Sequence, residues 1–220
     1  MRHFIEELEE LQKRLLEMGG LVESAIHDSV VSLTEKDEER ARKVLFNEAR
    51  INQMEIEIDD LVTRLLALHQ PMARDLRLLT AALKINNDLE RMGDLAVNIV
   101  ERSLSLLKGP PVKPLIDIPQ MARLAESMVH RSLDSFVKRD AELARSVLLS
   151  DDAVDELRDT IYNELVGFME RDPSTISRAM DLVFVARNLE RIADHATNIA
   201  EDALFLIKGV DVRHHAESGN

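Results

Sequence analysis

The 220-residue chain has no cysteine and no tryptophan, a single tyrosine, and only 7 glycines and 6 prolines. Without cysteine, disulfide frameworks, thiolate zinc sites and cysteine nucleophiles are excluded together, which leaves oxygen and imidazole as metal donors. Aromatics make up 3%, too few for a base-stacking platform or an aromatic ligand cage. Positive charge is also scarce: 28 Lys plus Arg stand against 41 Asp plus Glu, and the formal net charge of −13 argues against binding a phosphate backbone. Long apolar runs are missing, since stretches such as Leu182 to Ala186 fall far short of the roughly 18 residues that span a bilayer. The amino terminus, Met1-Arg-His-Phe-Ile-Glu-Glu-Leu, mixes charge with apolar residues and has no uninterrupted export-type segment, so a soluble, cytoplasmic protein without membrane insertion is expected.

What is present is helix-forming. Leu, Ala, Glu, Arg and Ile dominate, and apolar residues recur at steps of three and four, as in Ile51, Met54, Ile58, Leu61, Leu65 and Leu68. Such a stripe must face other helices. The reading is all-α, with six long helices at about residues 2–34, 38–68, 72–107, 118–137, 140–170 and 174–207, each boundary uncertain by about 2–4 residues. Four of the six prolines fall between Lys108 and Pro119, a stretch that cannot propagate a helix. It divides the chain into a first three-helix unit, 1–109, a linker, 110–117, a second three-helix unit, 118–209, and a flexible tail, 210–220. Gly19-Gly20 inside the first helix is expected to kink or break it.

The two units are related. Residues 88–109 and 188–209 are identical at 12 of 22 positions with an offset of one hundred, and both end in Lys-Gly, a helix-closing pair. On a helix turning about 100° per residue, Glu90, Asp94, Asn98 and Glu101 share a stripe that Glu190, Asp194, Asn198 and Glu201 repeat. Leu89, Met92, Ala96 and Ile99, with their counterparts Leu189, Ile192, Ala196 and Ile199, point toward the core. Core packing explains the apolar identities but not the acidic ones, because like charges at i, i+4 oppose helix formation by about 0.2–0.5 kcal/mol each.

A preceding helix in each half carries a second polar stripe: Glu48, Asn52, Glu55 and Asp59, then Asp151, Asp155 and the less well aligned Asp159. Antiparallel helices would bring these carboxylates side by side into an oxygen-rich cation pocket. One metal site per half is expected, from Glu48, Asn52, Glu90 and Asp94, and from Asp151, Asp155, Glu190 and Asp194. The competing reading is a pair of solvated acidic faces, partly neutralised by Arg91 and Arg191. His195 follows Asp194 directly and points about 100° away from it, so it need not join the same site. His3, His27, His69 and His130 are scattered without a shared pattern, and His214 and His215 fall in the tail. Arg74-Asp-Leu-Arg77 is an interaction edge or a helix start, and the second half does not repeat it.

Gln70-Pro-Met-Ala-Arg-Asp-Leu-Arg77, Asp88-Leu-Glu-Arg-Met-Gly-Asp94 and Arg187-Asn-Leu-Glu-Arg-Ile-Ala-Asp-His-Ala-Thr-Asn-Ile-Ala-Glu201 together resemble the PhoU family of phosphate-uptake and phosphate-signalling regulators. The resemblance covers essentially the whole chain before the tail. It implies two related three-helix bundles whose Glu/Asp-x-x-x-Asp motifs bind multinuclear iron or other metal ions. The motif falls on Glu90 with Asp94, Glu190 with Asp194, Asp151 with Asp155 and, with Asn for Asp, Glu48 with Asn52, so the first site is expected to carry less charge. The resemblance further implies a non-catalytic, homodimeric adaptor between a phosphate-specific ABC transporter ATPase and the cytoplasmic domains of a sensor histidine kinase, damping starvation signalling. No phosphate-cradling glycine loop, kinase box or nucleophile motif is present. Two alternatives remain: a structural scaffold, and a di-iron carboxylate enzyme, against which it counts that no histidine has Glu three positions before it.

Overall fold

The computed structural model describes residues 2–209, and His214, His215 and the rest of the predicted tail lie outside them. Its helices are α1 (Arg2–Glu35), α2 (Glu38–His69), α3 (Arg74–Leu106), α4 (Asp117–Lys138), α5 (Ala141–Leu148), α6 (Asp151–Arg171) and α7 (Ile176–Lys208), with a 3₁₀ turn at Pro173–Thr175. Six are long, as expected. The segment predicted as one helix over 140–170 is instead two, broken at Leu149-Ser150.

The break has a local cause. Arg131 of α4 donates to the Ser146 carbonyl and hydroxyl at 3.1 and 3.0 Å and to the Ser150 hydroxyl at 2.9 Å. The Ser146 carbonyl also accepts from the Ser150 hydroxyl, while the Ser150 N–H turns to Val147. One regular helical bond is thereby replaced. In the first half the residue matching Arg131 is Asp28, which accepts from Arg40 and Lys43 at 2.7 and 2.8 Å, and α2 runs unbroken.

The turns repeat between halves. Lys36 and Arg139 adopt left-handed backbone, and Asp37 and Asp140 then cap the following helix by accepting two backbone N–H groups each, at 2.9–3.1 Å. Gly19-Gly20 does not break α1: the helix is continuous, and a Cβ on Gly19 would collide with Leu133 of α4, so glycine there admits a close helix crossing.

The halves share one core. α3 packs antiparallel on α7 and α1 antiparallel on α4. All eight predicted core residues of the repeat, from Leu89 to Ile199, are fully buried. The register of the antiparallel pairs relates the halves by an approximate twofold passing through both crossings. At its ends, Arg77 packs beside Gly209, and Arg178 beside Gly109. The Arg74-Asp-Leu-Arg77 motif is not repeated, yet an arginine packs on the closing glycine of the other half at both ends. The proline-rich connection is tied down by Lys113, whose buried ammonium bonds Asp117 at 3.2 Å and also Glu164.

Candidate functional site

The acidic side chains meet where the second and third helices of each half run side by side. In the first half Gly93 fixes the approach, since a Cβ there would come within 3.2 Å of Ile51. The second half holds the corresponding Ala193 opposite the smaller Val154, both fully buried. Flanking Gly93 by three residues and one, Glu90 and Asp94 are carried to the α2–α3 groove, and Glu190 and Asp194 reach the α6–α7 groove likewise.

The second groove assembles the four residues expected there. Burial, then Asp194, Asp155, Asp152 and Glu190, push the Asp151 carboxyl up to about 6. Asp194 is raised by burial and by Asp155, and Glu190 by burial and by Asp194. Arg158, absent from the sequence reading, reaches into the group: its guanidinium lies 3.0 Å from Glu190, 3.1 Å from Asp155 and 2.9 Å from Asp159. It, more directly than Arg191, is the internal counter-charge.

The first groove is composed differently from the expected set. Glu90 is raised by burial, by Asp94 and by Glu55, and Glu55 by burial, by Asp59 and by Asp94. Glu55 and Asp59 thus belong to the group. Asn86 of α3 holds that end of α2, donating to the Glu55 carbonyl and to Asp59, both at 2.9 Å. Asn52 lies in the same groove with its Oδ1 buried and without a hydrogen-bond partner. Glu48 is half-buried one helical turn before Asn52. The residue matching Arg158 is Glu55, so the first groove holds a carboxylate where the second holds a guanidinium. Asn52, as expected, leaves the first groove without the carboxylate that Asp155 provides.

Asn198 and His195 turn elsewhere. His195 Nδ1 is 2.8 Å from Asp88 Oδ1, buried in the α3–α7 junction, and Asn198 donates to the same oxygen at 3.5 Å. Lys84 pairs with Asp202 at 2.8 Å nearby. These residues fasten the halves together rather than joining either groove.

His27 and His130 do share a pattern. Residues 23–32, ESAIHDSVVS, and 126–135, ESMVHRSLDS, match at Glu, Ser, His, Ser and Ser with an offset of 103, not the 100 that relates α3 to α7. Across the α1–α4 crossing His130 Nδ1 stands 3.3 Å from Glu23, and His27 Nδ1 stands 3.5 Å from Glu126.

Chemically, the grooves offer hard oxygen donors crowded enough to resist ionisation, together with one buried amide oxygen lacking a donor. That donor set fits a hard multivalent cation. Among the described residues no three His, Asp or Glu side chains are already converged on a common point. Loading either groove therefore requires rotation of partly exposed carboxylates. No helix among the described residues is long and apolar enough to cross a membrane.

Comparison with known proteins gives a consistent result. The PhoU domain matches residues 15–103 and again 118–203. A Pseudomonas putida protein described as a phosphate-specific transport system accessory protein PhoU homolog is 42% identical over 97% of the chain and 84% of its own length. An Aquifex aeolicus protein of the same description is 43% identical over 94% of each. Among solved structures, PhoU from Pseudomonas aeruginosa superposes with a TM-score of 0.91 at 40% identity, covering 94% of this chain and all of the other. The phosphate transport system regulatory protein PhoU from Streptococcus pneumoniae gives 0.88 at 31% identity, covering 95% and 99%.

Proposed function

The chain belongs to the PhoU family, and on that premise we propose that it is a cytoplasmic, non-catalytic adaptor that binds metal ions and restrains phosphate uptake and phosphate-starvation signalling by contact. Its partners in this reading are the ATPase of a phosphate-specific ABC transporter and the cytoplasmic domains of a sensor histidine kinase. The relatives named as phosphate-specific transport system accessory proteins support the transport role.

The observation that carries the metal reading is the duplicated carboxylate groove, in which burial and mutual repulsion raise Glu55, Glu90, Asp151, Glu190 and Asp194. Repelling carboxylates such as Glu90 and Glu190, kept at matched positions of both halves, are stabilised by a multivalent cation, and orphaned Asn52 Oδ1 supplies a neutral acceptor beside those of the first. Glu48, Asn52, Glu55, Asp59, Glu90 and Asp94 would hold it in the first groove, and Asp151, Asp155, Glu190 and Asp194 in the second. Bound there, a multivalent cation cancels negative charge and draws the two helices together.

Contact is supported by Phe46 and Leu149, which occupy matching positions two residues before Glu48 and Asp151 and are 80% and 81% exposed. Large apolar side chains this exposed, beside a charge-tunable groove in each half, suit a protein partner. Pull-down of the transporter ATPase and of the kinase cytoplasmic domain, with metal analysis on the same sample, tests the reading. Loss of capture with Phe46→Ser plus Leu149→Ser, and loss of metal with Glu90→Gln plus Asp194→Asn, are expected. Capture of neither partner at high or low phosphate, with no metal retained, would refute it.

A further inference from the structure

From the α1–α4 crossing we infer a second kind of metal site, in which Glu23, His27, Glu126 and His130 bind one divalent transition-metal ion of the zinc class. It lies away from both acidic grooves and is independent of the function proposed above. Glu23 and His27 are one turn apart on α1, Glu126 and His130 one turn apart on α4, and the twofold exchanges one set with the other. The four side chains therefore face one another as two crossed Glu–His pairs.

The donor set rather than the spacing points to a shared ion, since an ordinary ion pair such as Arg102–Asp181 also stands 3.4 Å apart. Charge-assisted hydrogen bonds settle at about 2.7–2.9 Å. The two nitrogen–oxygen distances here are 3.3 and 3.5 Å. No three of the four side chains converge on a common point among the described residues, so binding an ion draws the two pairs together. The two pairs are also close to each other, since Glu23 adds to the burial that raises the Glu126 carboxyl. The imidazoles are exposed enough to rotate, 58% for His27 and 63% for His130, so both pairs can close on one centre.

The charge balances as well. Two carboxylates and two neutral imidazoles neutralise a dication, and two nitrogen with two oxygen donors suit zinc-class ions better than the all-oxygen grooves do. His130 Nε2 faces Asp134 at 3.9 Å, and Lys138 holds Asp134 at 2.6 Å. Arg123 is the other charge near Glu126. Metal here joins α1 to α4 and so pins one half to the other.

The test uses the full chain stripped with chelator, titrated with Zn²⁺ by calorimetry and with Co²⁺ by visible absorption. The expected result is one equivalent with a tetrahedral cobalt spectrum, and thermal stabilisation by Zn²⁺. In His27→Ala plus His130→Ala that equivalent weakens by more than the about 10–100-fold that loss of an outer-sphere partner costs. Glu23→Gln, an isosteric change on the surface, weakens it in the same direction. Glu90→Gln plus Asp194→Asn, which removes groove carboxylates, leaves it intact. An unchanged isotherm in the double histidine variant, no Zn²⁺ binding by the wild type, or loss only in the groove variant overturns the proposal.

Discussion

Replacing Asp151 with asparagine is expected to stabilise the cation-free protein near neutral pH but not in acid. Asp151 faces Asp194, Asp155, Asp152 and Glu190, and burial together with these neighbours moves its pKa from 3.8 to about 6. A carboxyl whose folded-state value exceeds its unfolded-state value takes up a proton on folding between the two. Its stabilising contribution is complete below pH 3.8 and is lost as the pH rises through about 6. At face value the difference amounts to about 3 kcal/mol of opposition to folding at neutral pH. Asp151 is only partly buried, and solvent screening reduces this to roughly 1–1.5 kcal/mol. For a chain of this size each kcal/mol moves the melting midpoint by about 2–4 °C, so Asp151→Asn raises it by about 2–6 °C. Circular-dichroism melts of chelator-treated protein at about pH 7.5 and about pH 4 measure both values. A lower midpoint for the variant at pH 7.5, or an equal gain at both pH values, would refute the reasoning. A saturating hard divalent cation reverses the sign at pH 7.5, because the carboxylate that repelled its neighbours is then a ligand.

Three further substitutions probe other parts of the argument. Arg158→Glu gives the second groove the composition of the first at the position of Glu55, and is expected to lower stability without cations while tightening divalent binding, as calorimetry reports. Gly19→Val forces the α1–α4 crossing apart at Leu133 and costs about 1–3 kcal/mol in denaturant melts, whereas Gly20→Ala, with open space around its Cβ, gains about 0.5–1 kcal/mol. His195→Ala leaves the buried Asp88 carboxylate without its 2.8 Å partner and costs about 1–3 kcal/mol in the same assay.

The long-range plan was legible because α3 and α7 keep both faces of one helix alike, with Leu89 and Leu189 in the core and Glu90 and Glu190 in the grooves. Periodicity located the Asp151 group for the same reason. It missed Glu55 and Asp59 as groove members because a stripe shows which residues share a face, not which turn lies opposite which, and that register is set by Gly93 on Ile51. Arg158 escaped notice because a long side chain bridges positions that a helical wheel separates. His27 and His130 looked unrelated because the repeat slips by three residues between α1/α4 and α3/α7, and only their packing aligns them. The break at Leu149-Ser150 depends on Arg131, a residue of another helix, and no local pattern announces it.

Two grooves in one polypeptide, each free to drift, differ from two identical grooves in a symmetric dimer of single units. Here one holds Asn52 and Glu55 where the other holds Asp155 and Arg158, so under the proposed metal-binding role their appetites for cations are unequal. Unequal sites fill in sequence, and their joint occupancy climbs over a broader range of free ion than equal ones allow. Covalent linkage guarantees that every molecule has one of each. Under that proposal the duplication yields a graded, two-step responder from a motif that in a homodimer would give a single step.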